Sequence, residues 1–299
     1  MIEIRGLSKR FGAVDAVRDL SFTVPAGQVT GFLGPNGAGK TTTLRTLLGL
    51  VRPTAGEALI DGQPYQRLRE PRRVVGAVLE ATAAHPGRRA RDHLRVLAGA
   101  ARVPDGRVGE VLAAVGLGAD GHRRVGGFSL GMRQRLGLAG ALLGDPRVLV
   151  LDEPANGLDP EGMAWLRRLL RDLAGEGRTI LVSSHVLSEV AQSADHVVIV
   201  AAGRLRYAGP LRDLGAGVVH VRTAQAARLR DVLAAGGCQA SLVDGPGVRV
   251  RGATAEQVGE IAAREGIPLS ALSEEGASLE AAFLELTAAA EAPAPAGVR

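Results

Sequence analysis

The segment Gly34–Thr41 constrains this chain more than any other part of its sequence. It reads Gly-Pro-Asn-Gly-Ala-Gly-Lys-Thr, follows the apolar run Val29–Leu33 and precedes a helical pattern over Thr42–Leu50. Glycines let backbone amides surround phosphate oxygens with no side chain in the way, and a helix start adds the positive end of its dipole. A strand, a glycine-rich loop and a helix in this order predict a phosphate-binding loop in an α/β fold.

The loop contains one of only two lysines in the chain. Lys40 is expected to reach the β- and γ-phosphates of a nucleotide, and the hydroxyl of Thr41 to face a magnesium ion. All but two of the 36 basic residues are arginine, and the other lysine is Lys9. This bias indicates that Lys40 is required as a compact ammonium group. The predicted nucleotide-binding residues of the loop are Gly34, Pro35, Asn36, Gly37, Ala38, Gly39, Lys40, Thr41 and Thr42.

Two acids follow a second buried strand. The apolar run Val148–Leu151 leads into Asp152 and Glu153. Side chains at the carboxyl end of a parallel strand lie where open α/β sheets bind ligands. Asp152 is predicted to hold magnesium, and Glu153 to polarise the water that attacks the γ-phosphate. His185 follows the strand Thr179–Ser184 at the same edge, where it can hydrogen-bond the γ-phosphate.

Hydrophobic periodicity predicts two domains. Continuous apolar runs up to residue 215 indicate a parallel sheet covered by helices, alternating runs indicate an antiparallel subdomain, and residues 82–145 indicate a helical insertion. Residues 216–287 follow a βαββαβ order, typical of a small α+β domain, with its last strand predicted over Ile267–Leu272. Residues 288–299 are rich in Ala and Pro and are expected to be disordered. The predicted strands of the first domain are Ile2–Arg5, Ser21–Val24, Val29–Leu33, Ala58–Asp61, Val148–Leu151, Thr179–Ser183 and Val197–Val200.

Composition excludes several classes of protein. A single cysteine, Cys238, cannot form an internal disulfide or a cysteine-based zinc cluster. Aromatic residues make up 3% of the chain, which argues against a stacking platform for single-stranded nucleic acid. The first residues do not follow the pattern of a signal peptide, and no apolar window is long enough to span a membrane.

In this order the motifs resemble the ATP-binding cassette of ABC transporters, from residue 1 to about residue 215. The segment Phe128–Met132 (Phe-Ser-Leu-Gly-Met) stands where that family has its LSGGQ signature. Ser129 is predicted to cap a helix, whose free amides form an anion site. In the family, the residues matching Ser129 and Gly131 bind the γ-phosphate of ATP held by the other subunit. The resemblance therefore implies a head-to-tail homodimer with ATP in its interface.

Other positions match the family motifs with two departures. Phe11 matches the aromatic that stacks on adenine, and Asp159 belongs to the loop that touches the opposite site. His185 matches the switch histidine. Leu130 and Met132 replace the usual glycine and glutamine of the signature, and Glu80 stands where a glutamine is usual. The resemblance implies that Glu80 faces magnesium or the attacking water, as a third candidate catalytic residue beside Glu153 and His185.

The variant signature resembles the drug and peptide-antibiotic exporter subset, whose ATPases are separate from their permeases. The segment Ser278–Thr287 is similar to the closing segment of those proteins. The resemblance implies an ATP- and magnesium-dependent subunit on the cytoplasmic face of the membrane, which drives a permease without contacting nucleic acid or the transported molecule. An importer ATPase and an ABC-type ATPase acting on nucleic acid are the alternatives.

Overall fold

The structure of the chain is a computed structural model. It describes residues 1–79, 84–214, 218–243, 245, 247–275 and 279–288. Two compact units are present, one over residues 1–208 and one over residues 209–285. No helix in these described ranges is long and apolar enough to cross a bilayer.

Thirteen strands and eleven helices are assigned within the described residues. The strands are β1 (Ile2–Phe11), β2 (Val14–Val24), β3 (Val29–Leu33), β4 (Ala55–Ile60), β5 (Val75–Val78), β6 (Val148–Asp152), β7 (Thr179–Ser184), β8 (His196–Ala201), β9 (Arg204–Pro210), β10 (Val218–Arg222), β11 (Gln239–Val243), β12 (Gly247–Arg251) and β13 (Ala271–Glu275). The helices are α1 (Lys40–Leu47), α2 (Pro71–Val74), α3 (Ala90–Ala101), α4 (Gly106–Ala114), α5 (Leu130–Leu142), α6 (Pro160–Gly175), α7 (Leu187–Ala191), α8 (Leu211–Leu214), α9 (Ala226–Ala235), α10 (Ala255–Arg264) and α11 (Leu279–Ala288).

The first unit is built on a six-stranded sheet in the order β5-β6-β7-β3-β8-β9. The pairs from β5 to β8 are parallel, and every residue of β3, β6 and β7 is buried. Burial on both faces explains why these strands read as continuous apolar runs. Since the carboxyl ends of parallel strands share one edge, the loops after β3, β6 and β7 meet there.

Two further parts complete this unit. The strands β2, β1 and β4 form an antiparallel sheet in that order. The helices α3, α4 and α5 form the predicted helical insertion and share one apolar core with the face of the central sheet. The α/β fold predicted for this part of the chain is confirmed.

The second unit has the predicted βαββαβ order. Its strands form an antiparallel sheet in the order β11-β12-β10-β13, and one face packs on α9 and α10. The prediction of a strand over Ile267–Leu272 is wrong, because the last strand is β13, over Ala271–Glu275. The Ile267 amide instead closes the end of α10 by donating to the Ala262 carbonyl at 2.9 Å, and Pro268 has no amide to donate to a strand ladder.

Candidate functional site

Two glycines of the phosphate loop, Gly34 and Gly39, leave no space for a side chain. Gly39 has a φ of +100°, and a Cβ there would overlap the Ala16 carbonyl. A Cβ on Gly34 would overlap the Val200 carbonyl and lie 3.1 Å from the Cβ of Ala38. Close packing therefore requires glycine at both positions, and the left-handed backbone requires it also at Gly39.

Lys40 is the first residue of α1 and is 6% exposed. Its Nζ donates to the carbonyl oxygens of Gly34 at 2.6 Å and Pro35 at 3.3 Å, and lies 3.7 Å from Oε1 of Glu153. Burial lowers the pKa of this ammonium, and the carboxylates of Glu153 and Asp152 oppose that shift. The loop thus holds a cation where phosphate oxygens are expected to bind. The hydrogen bonds from Nζ to the loop carbonyls can be replaced by hydrogen bonds to phosphate oxygens.

Asp152 and Thr41 lie together at the end of β6. The Thr41 hydroxyl donates to Oδ2 of Asp152 at 2.9 Å, and the Ser183 hydroxyl donates to Oδ1 of the same carboxylate. Hydroxyl and carboxylate oxygens are ligands that Mg²⁺ prefers, and Mg²⁺ usually completes its shell with water and substrate phosphates. Among the described residues, no cluster of three or more His, Cys, Asp or Glu could hold a metal alone. The residues present fit a magnesium ion shared with a nucleotide.

Glu153 and His185 face each other across the same edge. Nδ1 of His185 lies 2.8 Å from Oε2 of Glu153, and the Glu153 amide donates to the Ser183 hydroxyl at 3.0 Å. Glu153 has a φ of +49°, a left-handed conformation that non-glycine residues rarely adopt. Strained backbone of this kind clusters at functional sites. The arrangement fixes the carboxylate between Lys40 and His185.

These groups surround one open cavity of about 500 Å³. The structure therefore brings loop residues 36–42, Glu153 and His185 together, with Asp152 hydrogen-bonded to Thr41 at the side of the cavity. Sequence reasoning missed Ser183, which organises both acids; its signal is a hydroxyl at the end of an apolar strand. The lining residues are Ala16, Asn36, Gly37, Ala38, Gly39, Lys40, Thr41, Thr42, Glu153, Asn156 and His185.

Ser129, Gly131 and Asp159 line a different cavity, of about 440 Å³. Ser129 caps α5, since its Oγ accepts from the Met132 amide at 3.2 Å. Asp159 caps α6, since its Oδ1 accepts from the Gly162 amide at 2.7 Å. Among the described residues, the two cavities share no lining residue. One chain therefore does not bring its signature residues to its own phosphate loop.

Phe11 does not line either of these cavities. Phe11 ends β1 with half of its surface exposed, and Nζ of Lys9 lies 4.8 Å from its ring centroid. The ring is accessible for stacking, but it is not part of the lining of the phosphate cavity. Glu80 lies outside the described residues.

Comparison with known proteins identifies the family. The model of the ABC transporter family matches residues 17–156, and a domain of unknown function matches residues 217–280. A bacitracin transport ATP-binding protein of Bacillus licheniformis is 44% identical over 208 residues, which cover 69% of this chain and 68% of the relative. A Nod factor export ATP-binding protein of Burkholderia lata is 39% identical over 244 residues, which cover 78% and 80%.

Solved structures agree. The ATP-binding subunit of an ABC transporter aligns with a TM-score of 0.65 and 29% identity, over 72% of this chain and 91% of the other. A dimeric ATP-binding cassette bound to ADP and Pi shares the fold, with a TM-score of 0.64 and 23% identity over 71% and 99% of the two chains. The predicted resemblance is confirmed: the chain belongs to the ABC transporter ATP-binding proteins, a family of ATPases.

Proposed function

We propose that this chain hydrolyses ATP to drive a separate membrane permease that exports a drug, an antibiotic or a lipid-like molecule. The observation that carries the proposal is the convergence of Lys40, Thr41, Asp152, Glu153 and His185 at one edge of the parallel sheet. The names of the relatives, which transport bacitracin or export Nod factor, support export.

ATP is the substrate of the phosphate loop. The amides of the loop bind the phosphate oxygens, and Lys40 exchanges its contacts with Gly34 and Pro35 for the β- and γ-phosphates. Thr41 and Asp152 hold magnesium, with Glu80 as a further ligand. The metal supplies positive charge that stabilises the phosphates during transfer. The exposed ring of Phe11 stacks on adenine.

Glu153 performs the proton chemistry. Its carboxylate orients the attacking water and accepts its proton, as a general base within reach of the γ-phosphate. His185, 2.8 Å away through Nδ1, holds the carboxylate in place and presents the rest of its ring to the cavity. The contact fits the tautomer of His185 that carries its hydrogen on Nδ1, which then donates to Oε2 of Glu153.

The active assembly is a head-to-tail homodimer. The separation of the two cavities supports this, because Ser129, Gly131 and Asp159 need a second chain to reach a nucleotide. The free amides at the start of α5 then meet the γ-phosphate bound by the partner. Closure and opening of the dimer move a permease at the cytoplasmic face of the membrane. No role in this cycle requires nucleic acid or contact with the transported molecule.

The proposal assigns these roles to separate parts of the chain. Residues 1–215 serve as the ATP-binding cassette, and residues 216–287 as a small α+β domain whose sheet order is typical of the split βαβ fold. The predicted tail, residues 288–299, lies outside the described residues beyond Ala288, which ends α11.

Glu153→Gln tests the proposal. The amide keeps the shape of the side chain and loses the base, so ATP binds but is hydrolysed very slowly. The variant is expected to accumulate as a dimer with ATP, and to remain monomeric without it, as measured by light scattering. A variant that hydrolyses ATP at the wild-type rate, or that stays monomeric at saturating ATP, would contradict the proposal.

A further inference from the structure

The signature and the loop after β6 are packed together within one chain. We call residues 153–159 the β6–α6 loop. Leu130, the first residue of α5, is 47% exposed, yet its tip lies directly against Gly157 in this loop. A Cβ on Gly157 would overlap Cδ2 of Leu130 and lie 2.5 Å from its Cγ. Leu130 thus occupies the space that any side chain at 157 would need.

Gly157 is suited to this contact in a second way. Its φ is +77°, in the left-handed region that favours glycine. A residue with a side chain there would have a strained backbone and would also displace Leu130. Leu130 stands where the family signature has a glycine, and the residue it packs against has no side chain. The two positions therefore complement each other in shape.

Neighbouring residues also connect α5 to the β6–α6 loop. Gln134, buried in α5, donates through Nε2 to the Asn156 carbonyl at 3.2 Å. On the other side, a Cβ on Gly131 would lie 3.4 Å from Cδ2 of Leu158. Three consecutive residues of the β6–α6 loop are thus held by the first five residues of α5.

The other end of the β6–α6 loop belongs to the phosphate cavity. The Asn156 amide donates to the Glu153 carbonyl at 3.2 Å, and both residues line that cavity. Asp159, at the end of the loop, lines the signature cavity. The loop therefore joins the general base for one nucleotide to the groups that meet the nucleotide of a second chain.

We propose that Leu130 is a positioning residue, which packs on Gly157 to set the spacing between the signature and Asp159. This inference rests on the proposed function, because the spacing matters only when both groups meet ATP held by a second copy of the chain. Leu130 itself touches no nucleotide in this account. It acts through Ser129, Gly131 and Asp159, whose relative positions must match one bound triphosphate.

The test uses the full chain with Glu153→Gln as the parent. Gly157→Ala in this background is expected to keep monomer ATP affinity within about threefold. It should raise the protein concentration at half-dimerisation by at least about tenfold, equivalent to about 1.4 kcal/mol. Gly177→Ala is the matched control, because Gly177 has a φ of +89° and nothing within 4 Å of its Cβ position. That control should dimerise like the parent.

Leu130→Ala is expected to rescue the dimerisation of the Gly157→Ala variant. Combined with Gly157→Ala it removes the overlapping atoms, so the double variant should dimerise at least about threefold better than Gly157→Ala alone. Leu130→Ala alone should weaken dimerisation by about threefold or more, while Leu130→Met and the exposed control Val96→Ala leave it unchanged. These single surface changes test the inference even if Gly157→Ala does not fold.

Three results would overturn the inference. One is a Gly157→Ala protein that dimerises as well as Gly177→Ala, and another is a double variant no better than Gly157→Ala alone. The third is wild-type dimerisation by Leu130→Ala. If the parent itself stays monomeric with ATP, the proposed composite site fails and the positioning role fails with it.

Discussion

At the residue scale, Lys40 combines burial with a required charge. The ammonium is 6% exposed and donates to two loop carbonyls. Lys40→Ala should leave the thermal melt nearly unchanged and weaken ATP binding by at least about tenfold, since a hydrogen bond to a charged group is worth about 1.5–3 kcal/mol. Lys40→Arg should also lose ATP binding and hydrolysis, because a guanidinium is planar and larger than an ammonium.

ATP affinity, measured by nucleotide titration, and the thermal melt of the protein check both Lys40 variants. Near-normal ATP affinity and hydrolysis by Lys40→Arg would show that any cation suffices at this position. Loss of the folded state in Lys40→Ala would instead make the lysine a structural residue.

The sequence was sufficient to predict which residues converge, but not how they are oriented. Asp152 and His185 were predicted because each follows a buried strand, and Lys40 because it belongs to a glycine-rich loop after such a strand; parallel strands end at one edge. The role of Ser183 and the left-handed backbone of Glu153 depend on the register of β6 against β7. That register arises from tertiary packing, which no local motif records.

At the element scale, α3 carries a half-buried histidine. Burial, and secondarily the charge of Arg88, lowers the pKa of His93, whose Nδ1 is buried without a hydrogen-bond partner among the described residues. The unfolded chain takes up a proton near the ordinary pKa, whereas the folded chain resists it. The free energy of unfolding should therefore fall as pH drops below about 6.5.

His93→Gln should make the stability of the protein less sensitive to acid. The slope of the unfolding free energy between about pH 7 and pH 5 is measured by urea denaturation. Burial also lowers the pKa of His196, so the slope should shrink rather than vanish. His122→Gln, an exposed histidine of the same helical insertion, is the control. An unchanged slope in His93→Gln would contradict the predicted role of burial.

The strands show where hydrophobic periodicity is sufficient to predict the bounds of an element. β3 has the predicted bounds, because burial on both faces leaves an uninterrupted apolar run. β1 and β2 are longer than predicted, since shifts in register between Ile4 and Arg10 interrupt the alternation. β9 was not predicted; it lies at the edge of the sheet and carries arginines.

At the scale of the whole molecule, we propose that Glu80 links the nucleotide site to the permease. Glu80→Ala should keep ATP affinity within about threefold, or about 0.7 kcal/mol, because Lys40, the loop amides and magnesium supply most of the binding energy. Stimulation of hydrolysis by the reconstituted permease should fall far more, and Glu80→Gln should be milder. Unchanged stimulation in Glu80→Ala would refute the coupling role, and an equal collapse of affinity would make Glu80 a binding residue.

The assembly of the molecule is harder to predict from the sequence than its elements are. The order of elements in the second unit could be predicted, because each buries one apolar face within the unit. The pairing of two cassettes could be inferred only through the family resemblance. That pairing depends on Ser129 and Gly131, which line a cavity separate from the phosphate loop of their own chain.

Mixing two inactive variants tests the composite site most directly. Lys40→Ala has a defective phosphate loop and an intact signature, whereas Ser129→Arg has the reverse. A mixed head-to-tail dimer contains one complete site, and random pairing makes half of the dimers mixed. Equal amounts should therefore regain about a quarter of the wild-type ATPase rate. A mixture no more active than its two components measured separately would contradict the account.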